Sequence, residues 1–403
     1  MKSLVISIVR DPRLLLISTL VLTTPIKIYY ALSRPLFYSG PDANGYIPAM
    51  QDFGSKPFLS PDISYQPGYP PGYPYLISLF YRITKSDWIP IAQSFQIILF
   101  TISIYLFFLL IRNHTTTLIA QISSFVLAFS PAWAVASGEA MYESTYFSLL
   151  VIALYTLLPG HETPKPLRWF VGGILLGSVV VVHPRGLLVA LILVVYFQFI
   201  EKKRNLFKFL VGLGFLIPYL IFSFRNLIAE KSFTLSSAVW ASVSANPYLT
   251  GCQSILCVAE RGVADPMSFI AQCFWNICHF WSPYSWPLMR GTWYHNVSLF
   301  SILTNNDMVF IATLLSYLLM ISIFIGWVVG TFLLHRVSPK TNFILASIVL
   351  ASILNDALVY GDSRHRLAVM AFILPALAIS LLKLIEKIAP KSKLARIQIW
   401  KLH

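Results

Sequence analysis

Acidic side chains are scarce in this chain: 16 Asp and Glu stand among 403 residues, against 30 Lys and Arg. Charged residues of both signs make up 11% of the sequence, hydrophobic ones 57%, and the mean hydropathy is +0.70. That balance excludes a soluble domain of this length and leaves a polytopic membrane protein. Cysteine is nearly as rare, with four residues confined between Cys252 and Cys278 and no zinc-finger spacing among them. Heptads, low-complexity tracts and tandem repeats are absent too. A cleavable leader is not visible, because the first apolar run follows Lys2, Arg10 and Arg13 and is long enough to span. It reads as a retained anchor.

What is present is a succession of apolar runs. Ten spans are expected, at 14–33, 89–111, 115–136, 143–159, 169–183, 186–200, 207–228, 309–334, 342–359 and 367–382. The stretch 169–200 is too long for one crossing, which takes about 20 residues. Its two flanks, HETPKPLR and EKKRN, are both basic and so belong on one side of the membrane. It is therefore a hairpin with HPRG at its tip. By the same logic 115–159 is a hairpin tipped by SGEAMYES, and 342–382 a hairpin tipped by YGDSRHR. With these tips outside, the inner segments carry 18 Lys and Arg against 4 Asp and Glu, and the remainder 12 against 12. The whole net charge of +14 is then cytoplasmic, with both termini inside. One domain is expected over residues 1–382, with two long outer loops at about 34–88 and 225–308. A basic tail, 383–403, would anchor to anionic headgroups. The second loop holds an amphipathic stretch near Pro266 to Trp281, expected as an interfacial helix with an aromatic belt, to which a lid over a lipid-facing groove would be the functional addition.

Polar groups near membrane depth are costly, so their clustering on one side marks candidates. The tips supply Glu139 and Glu143, His183 and Arg185, and Asp356, Asp362, Arg364, His365 and Arg366, while the first outer loop supplies Asp42. Two readings of Asp42 stand side by side: a turn or helix cap in GPDANG, or a general base at the membrane surface. Arginines at several tips suit a phosphate, since the guanidinium fork binds two oxygens at once; phospholipid headgroups offer the same anion. The aromatic stretch Tyr65 to Pro74, with Tyr69 and Tyr73, is either a loop brace or a wall of a sugar site. Cys252 and Cys257 are five apart, and both a local disulfide and two free thiols fit. Cys273, Cys278 and His279 do not make a metal set at helical spacing. Asn296-Val297-Ser298 is a glycosylation sequon. The nearest acids to Asp42 are Asp52 and Asp62, so no acid pair argues for a metal. No cofactor is indicated, and assistance by a divalent cation stays open.

Taken in order, these features resemble the GT-C integral-membrane glycosyltransferases, in particular the branch of protein O-mannosyltransferases and lipid A aminoarabinose transferases. The residues that carry the resemblance are Asp42-Ala43-x-x-Tyr46, PGYPPGYPYL, EAMYESTYFSLL, VVVHPRGLL and SRHRLAVMAFILP. Family members often place a second acid directly after the first, where this chain has Ala43. The resemblance implies an all-α fold and a polyprenyl-phosphate-linked sugar donor. The acceptor would be a hydroxyl on a glycan, lipid or protein at the non-cytoplasmic face, with inversion at C1 and no nucleic acid involved. By that implication Asp42 is the base, Arg364, Arg366 and Arg185 clamp the donor phosphate, and Tyr46, Glu139, Glu143, His183, His365, Tyr69 and Tyr73 contact substrate. The competing expectation is a transporter or lipid flippase, which should carry ionisable residues at mid-span rather than at outer helix ends.

Overall fold

The computed structural model describes residues 11–34, 36–38, 43–63, 70–85, 88–158, 165–183, 185–200, 205–231, 233, 252, 255–281, 307–358 and 363–388. At 12, 230, 255, 279, 307–314 and 363–365 the description is of backbone only. Among the described residues the regular structure is helical throughout. Six helices are long and apolar enough to cross a membrane: α1 (Pro12–Leu32), α4 (Trp88–His114), α10 (Asn205–Glu230), α13 (Asp307–Val337), α14 (Pro339–Leu358) and α15 (Ser363–Ile388). Four shorter apolar helices complete the ten expected spans: α5 (Thr117–Phe129), α7 (Glu143–Leu157), α8 (Pro166–Val182) and α9 (Gly186–Val195), which continues as a π-turn through Ile200.

Two of the three expected tips fall between helices, SGEAMYES where the chain leaves Ala136 for α7 and HPRG between α8 and α9, while YGDSRHR lies largely outside the described residues. Pro131 opens a separate short helix α6 (Pro131–Ala136), so the span read at 115–136 breaks at Ser130. The 169–200 stretch turns between Val182 and Gly186, and α14 and α15 are joined across 359–362. Two differences arise from local chemistry. The first outer loop is not all loop: α2 (Ala43–Ser55) and α3 (Gly72–Thr84) form in spite of Pro48 and Pro74, because each buries an apolar face against the bundle. The last span runs on past 382 to Ile388, with Lys383 paired to Glu386 at 2.6 Å, so the basic tail begins within helix.

Aromatic packing locks the centre. Phe100 of α4 stacks on Trp133 of α6 at 4.9 Å, Phe147 of α7 lies 5.1 Å from Trp133, and Phe372 of α15 lies 5.9 Å from Phe147. Leu22, Ile26, Phe199, Phe209 and Phe332 point outward and are largely exposed, as a lipid-facing surface requires. Helices α8 and α10 meet backbone to backbone. A Cβ on Gly173 would strike the carbonyl of Val211, one on Gly177 the carbonyl of Phe215, and one on Gly214 the carbonyl of Phe170. In a membrane such small-residue contacts replace the hydrophobic drive that water would supply. Gly177→Leu is therefore expected to push α8 from α10 and lower the yield of folded, monodisperse protein several-fold in size-exclusion chromatography. Parent-like elution would show that the two helices can separate without cost.

Candidate active site

The site is built on the turn between α6 and α7. Ser137, Gly138, Glu139 and Ala140 are buried there, and the turn's carbonyls are held by two amides that α4 projects from within an apolar span. Gln93 donates Nε2 to the Gly138 carbonyl at 2.8 Å, and Gln96 donates Nε2 to the Glu139 carbonyl at 3.0 Å and the Ser137 carbonyl at 3.3 Å. The other end of the Gln96 amide accepts from the Tyr73 hydroxyl at 2.8 Å. One glutamine thus ties α3, α4 and the glutamate turn together. Glu139 and Glu143 are both fully buried, Glu143 as the first residue of α7.

Tyr73 is equally covered and packs edge to face on Tyr46 at 5.0 Å. Burial, reinforced by Glu143 and to a lesser degree Glu139, pushes the Tyr73 phenol well above its ordinary range, in spite of its hydrogen bonds with Gln96 and the Met141 backbone. The phenol therefore stays protonated and acts as a donor. Tyr46 and Tyr73 brace the floor of the site.

Beside this turn lies a cleft lined by Tyr142, Tyr146, His183, Arg185, Asn355 and Asp356, with Ala368 and Val369 of α15 closing one side. His183 stacks on Tyr142 with ring centroids 3.8 Å apart. Its Nδ1 accepts the backbone N–H of Arg185 at 3.2 Å, which puts the proton of a neutral ring on Nε2. Arg185 turns back across the cleft and places Nε 3.5 Å from Oδ1 of Asp356, whose side chain is only 2% exposed. Arg366, in the first turn of α15, is 4% exposed and lies three residues before Val369. The cleft thus sets Arg185 and His183, from the turn between α8 and α9, against the Asp356 carboxylate of α14. Asp42 and Tyr69, and the side chains of Arg364 and His365, lie outside the described residues, Asp42 immediately before α2.

Residues 68–249 match a family model described as dolichyl-phosphate-mannose-protein mannosyltransferase, a segment that includes Glu139, Glu143, His183 and Arg185. Among solved structures, the chain is similar to ArnT from Cupriavidus metallidurans in the apo state, at 14% identity and a TM-score of 0.51, over 91% of this chain and 59% of that one. It is also similar to the oligosaccharyltransferase AglB from Archaeoglobus fulgidus in complex with an inhibitory peptide and a dolichol-phosphate, at 17% identity and a TM-score of 0.53, over 93% of this chain and 51% of that one. The chain thus shares the fold of these two structures, and the family model matches it over less than half of its length. The chain spans between half and three fifths of the length of those structures. No curated protein sequence matches it.

The structure gathers Glu139, Glu143, His183, Arg185 and Arg366 at one end of the bundle. Sequence reasoning missed Gln93 and Gln96, and gave Asp356 no role. The two amides had a signal: they are polar groups inside a 27-residue apolar helix. Tyr142 and Tyr146 had none, since tyrosines at the mouth of a span read as an interfacial belt. Cys252 and Cys257, open on spacing alone, are joined as a disulfide.

Proposed function

We propose that this protein is a GT-C glycosyltransferase that transfers a sugar from a polyprenyl monophosphate to an acceptor hydroxyl at the non-cytoplasmic face of the membrane. The acceptor oxygen attacks C1 of the sugar, its proton passes to the Asp42 carboxylate, and the bond from C1 to the phosphate oxygen breaks with inversion. The electron pair leaves on the polyprenyl phosphate. Arg185 and Arg366, joined by Arg364, stabilise the negative charge that grows on that phosphate in the transition state. Glu139 and Glu143 orient sugar hydroxyls. The observation that carries the proposal is that His183, stacked on Tyr142 next to the buried Glu143, shares a cleft with Arg185 and Asp356 at the ends of helices that are otherwise apolar. The dolichol-phosphate bound by the oligosaccharyltransferase relative supports the donor class.

The test is donor turnover. Purified protein in nanodiscs, given a panel of polyprenyl monophosphate sugars and a mixed pool of envelope acceptors, is expected to release polyprenyl phosphate and label one acceptor class. Release from none of the donors by well-folded protein would overturn the reading. Sidedness is a separate prediction. Reporter fusions after Arg112, Lys203 and Arg336 should read cytoplasmic, and fusions after Lys56 and Arg261 external, because the inner segments hold the basic excess. The same side for Lys56 and Lys203 would break the hairpin argument.

A further inference from the structure

Helix α12 (Pro266–Phe280) is amphipathic in the reverse sense from a water-facing helix. Its outward residues are Met267, Ile270, Phe274 and Trp275, each at least 60% exposed. They recur at helical spacing along one face. Gln272 and Asn276 are turned the other way, toward the protein. Gln272 donates Nε2 to Oδ1 of Asn276 at 3.0 Å, and Asn276, 3% exposed, donates Nδ2 to the carbonyl of Ala357 at 3.0 Å. Ala357 stands next to Asp356 at the end of α14, so the helix is fastened to the rim of the cleft.

Its ends show how it lies. At the start, the fully exposed Asp265 caps the helix by accepting the backbone N–H of Ser268 at 3.1 Å, and bonding to Ser268 holds its carboxyl below the usual range. At the finish, Trp281 packs on Phe324 at 5.1 Å and Trp327 at 5.8 Å, both on the span α13. Fifteen residues reach about 22 Å at 1.5 Å each, short of the ~30 Å of a hydrocarbon core. Unlike α7, which is as short, it does not stand among the apolar helices that complete the spans. Asn276 fastens the helix beside the exposed Leu354 and Leu358 at the end of α14, and Trp281 packs on the exposed Phe324 of α13, so the helix lies next to the lipid-facing belt of the spans.

We propose that α12 is a docking surface for the bilayer: the face of Met267, Ile270, Phe274 and Trp275 sits in the boundary between headgroups and acyl chains of the leaflet on the cleft side. The water-facing alternative would leave four large apolar side chains solvated while turning Gln272 and Asn276 inward, the reverse of what water selects. A second copy of the chain is the other occupant such a face admits; the helix's place next to the belt favours lipid.

The test places probes on this face in full-length protein in nanodiscs, with Cys273 and Cys278 replaced by Ala and the Cys252–Cys257 disulfide kept. Ile270→Cys and Phe274→Cys carry an environment-sensitive fluorophore, and Asp62→Cys, exposed in the first outer loop, is the water reference. Labels at 270 and 274 are expected to be blue-shifted, quenched several-fold more by phospholipid brominated near the top of its chains than the label at 62, and spared by aqueous iodide. Iodide quenching equal to that at 62 would overturn the proposal. Shielding from both quenchers, which means cover by protein, would overturn it equally. Met267→Cys, on the same face, repeats the measurement if either variant fails to purify.

Discussion

Replacing Asp42 by Asn is expected to lower the transfer rate by on the order of 10²–10⁴, the usual cost of losing a general base, with folding and donor binding near parental. Asn caps a helix and holds a turn as well as Asp does, so a purely structural Asp42 predicts almost no change. The separation is sharpened by the way α2, which begins at Ala43, is held. Its far end is pinned by Arg82, which donates to the Phe53 carbonyl at 2.9 and 3.1 Å and to the Lys56 carbonyl at 3.0 Å. The segment that follows is pinned by the buried Arg225, which donates to the carbonyls of Phe58 and Ser60, each at 3.2 Å. Tyr46, Met50 and Phe53 are buried along its body. The helix therefore has anchors that do not involve residue 42, and an Asn there should leave it in place. Asp42→Glu should also fail in large part, because the added methylene moves the carboxylate out of reach of the acceptor. A folded Asp42→Asn protein retaining more than about a tenth of the parental rate, outside the general-base range, would remove Asp42 from the mechanism and turn the search to Glu139 and Glu143.

What could be read from the sequence followed from properties that act locally. Apolar length placed the ten spans, and the basic flanks HETPKPLR and EKKRN resolved 169–200 into the two helices α8 and α9. Glu139, Glu143, His183 and Arg185 were legible because an ionisable group near membrane depth needs a reason. Relations between distant parts of the chain were not legible. Nothing in IAQSFQII says that Gln96 will hold both the Tyr73 hydroxyl and the Glu139 carbonyl, because that depends on where α3 and the turn pack. Tyr73, in a stretch dense in Pro and Gly, read as either a loop brace or a wall of a sugar site, and Tyr46 as a substrate contact by resemblance alone; the helices that form there cover both rings. Helix α12 was visible as amphipathic, but which face met the protein was not, because a membrane reverses the rule that sorts polar from apolar in water.

Arg185→Ala should weaken binding of a polyprenyl monophosphate sugar by roughly 1.5–3 kcal/mol, the range for a hydrogen bond to a charged group, or about ten- to 150-fold in Kd. Lys at 185 should recover only part of this, since it keeps the charge and loses the fork. The competing account is that Arg185 serves only to neutralise Asp356, the nearly buried carboxylate across the cleft. Both accounts predict that the single variant is less stable, because removing one partner of a buried pair costs about 3–5 kcal/mol by leaving the other charge uncompensated. The Nε to Oδ1 separation of 3.5 Å and the 16% exposure of the arginine side chain put this pair toward the low end. The double variant Arg185→Ala with Asp356→Ala separates the accounts. Without the carboxylate, no uncompensated charge remains in the cleft, and thermal stability should return most of the way to parental. If Arg185 is a phosphate ligand, donor affinity in the double variant should stay as weak as in the single one, measured by titrating the donor lipid into nanodiscs. Recovery of donor binding together with stability would confine Arg185 to holding α14 against the hairpin tip, and the phosphate site would then have to be built from Arg366 and Arg364.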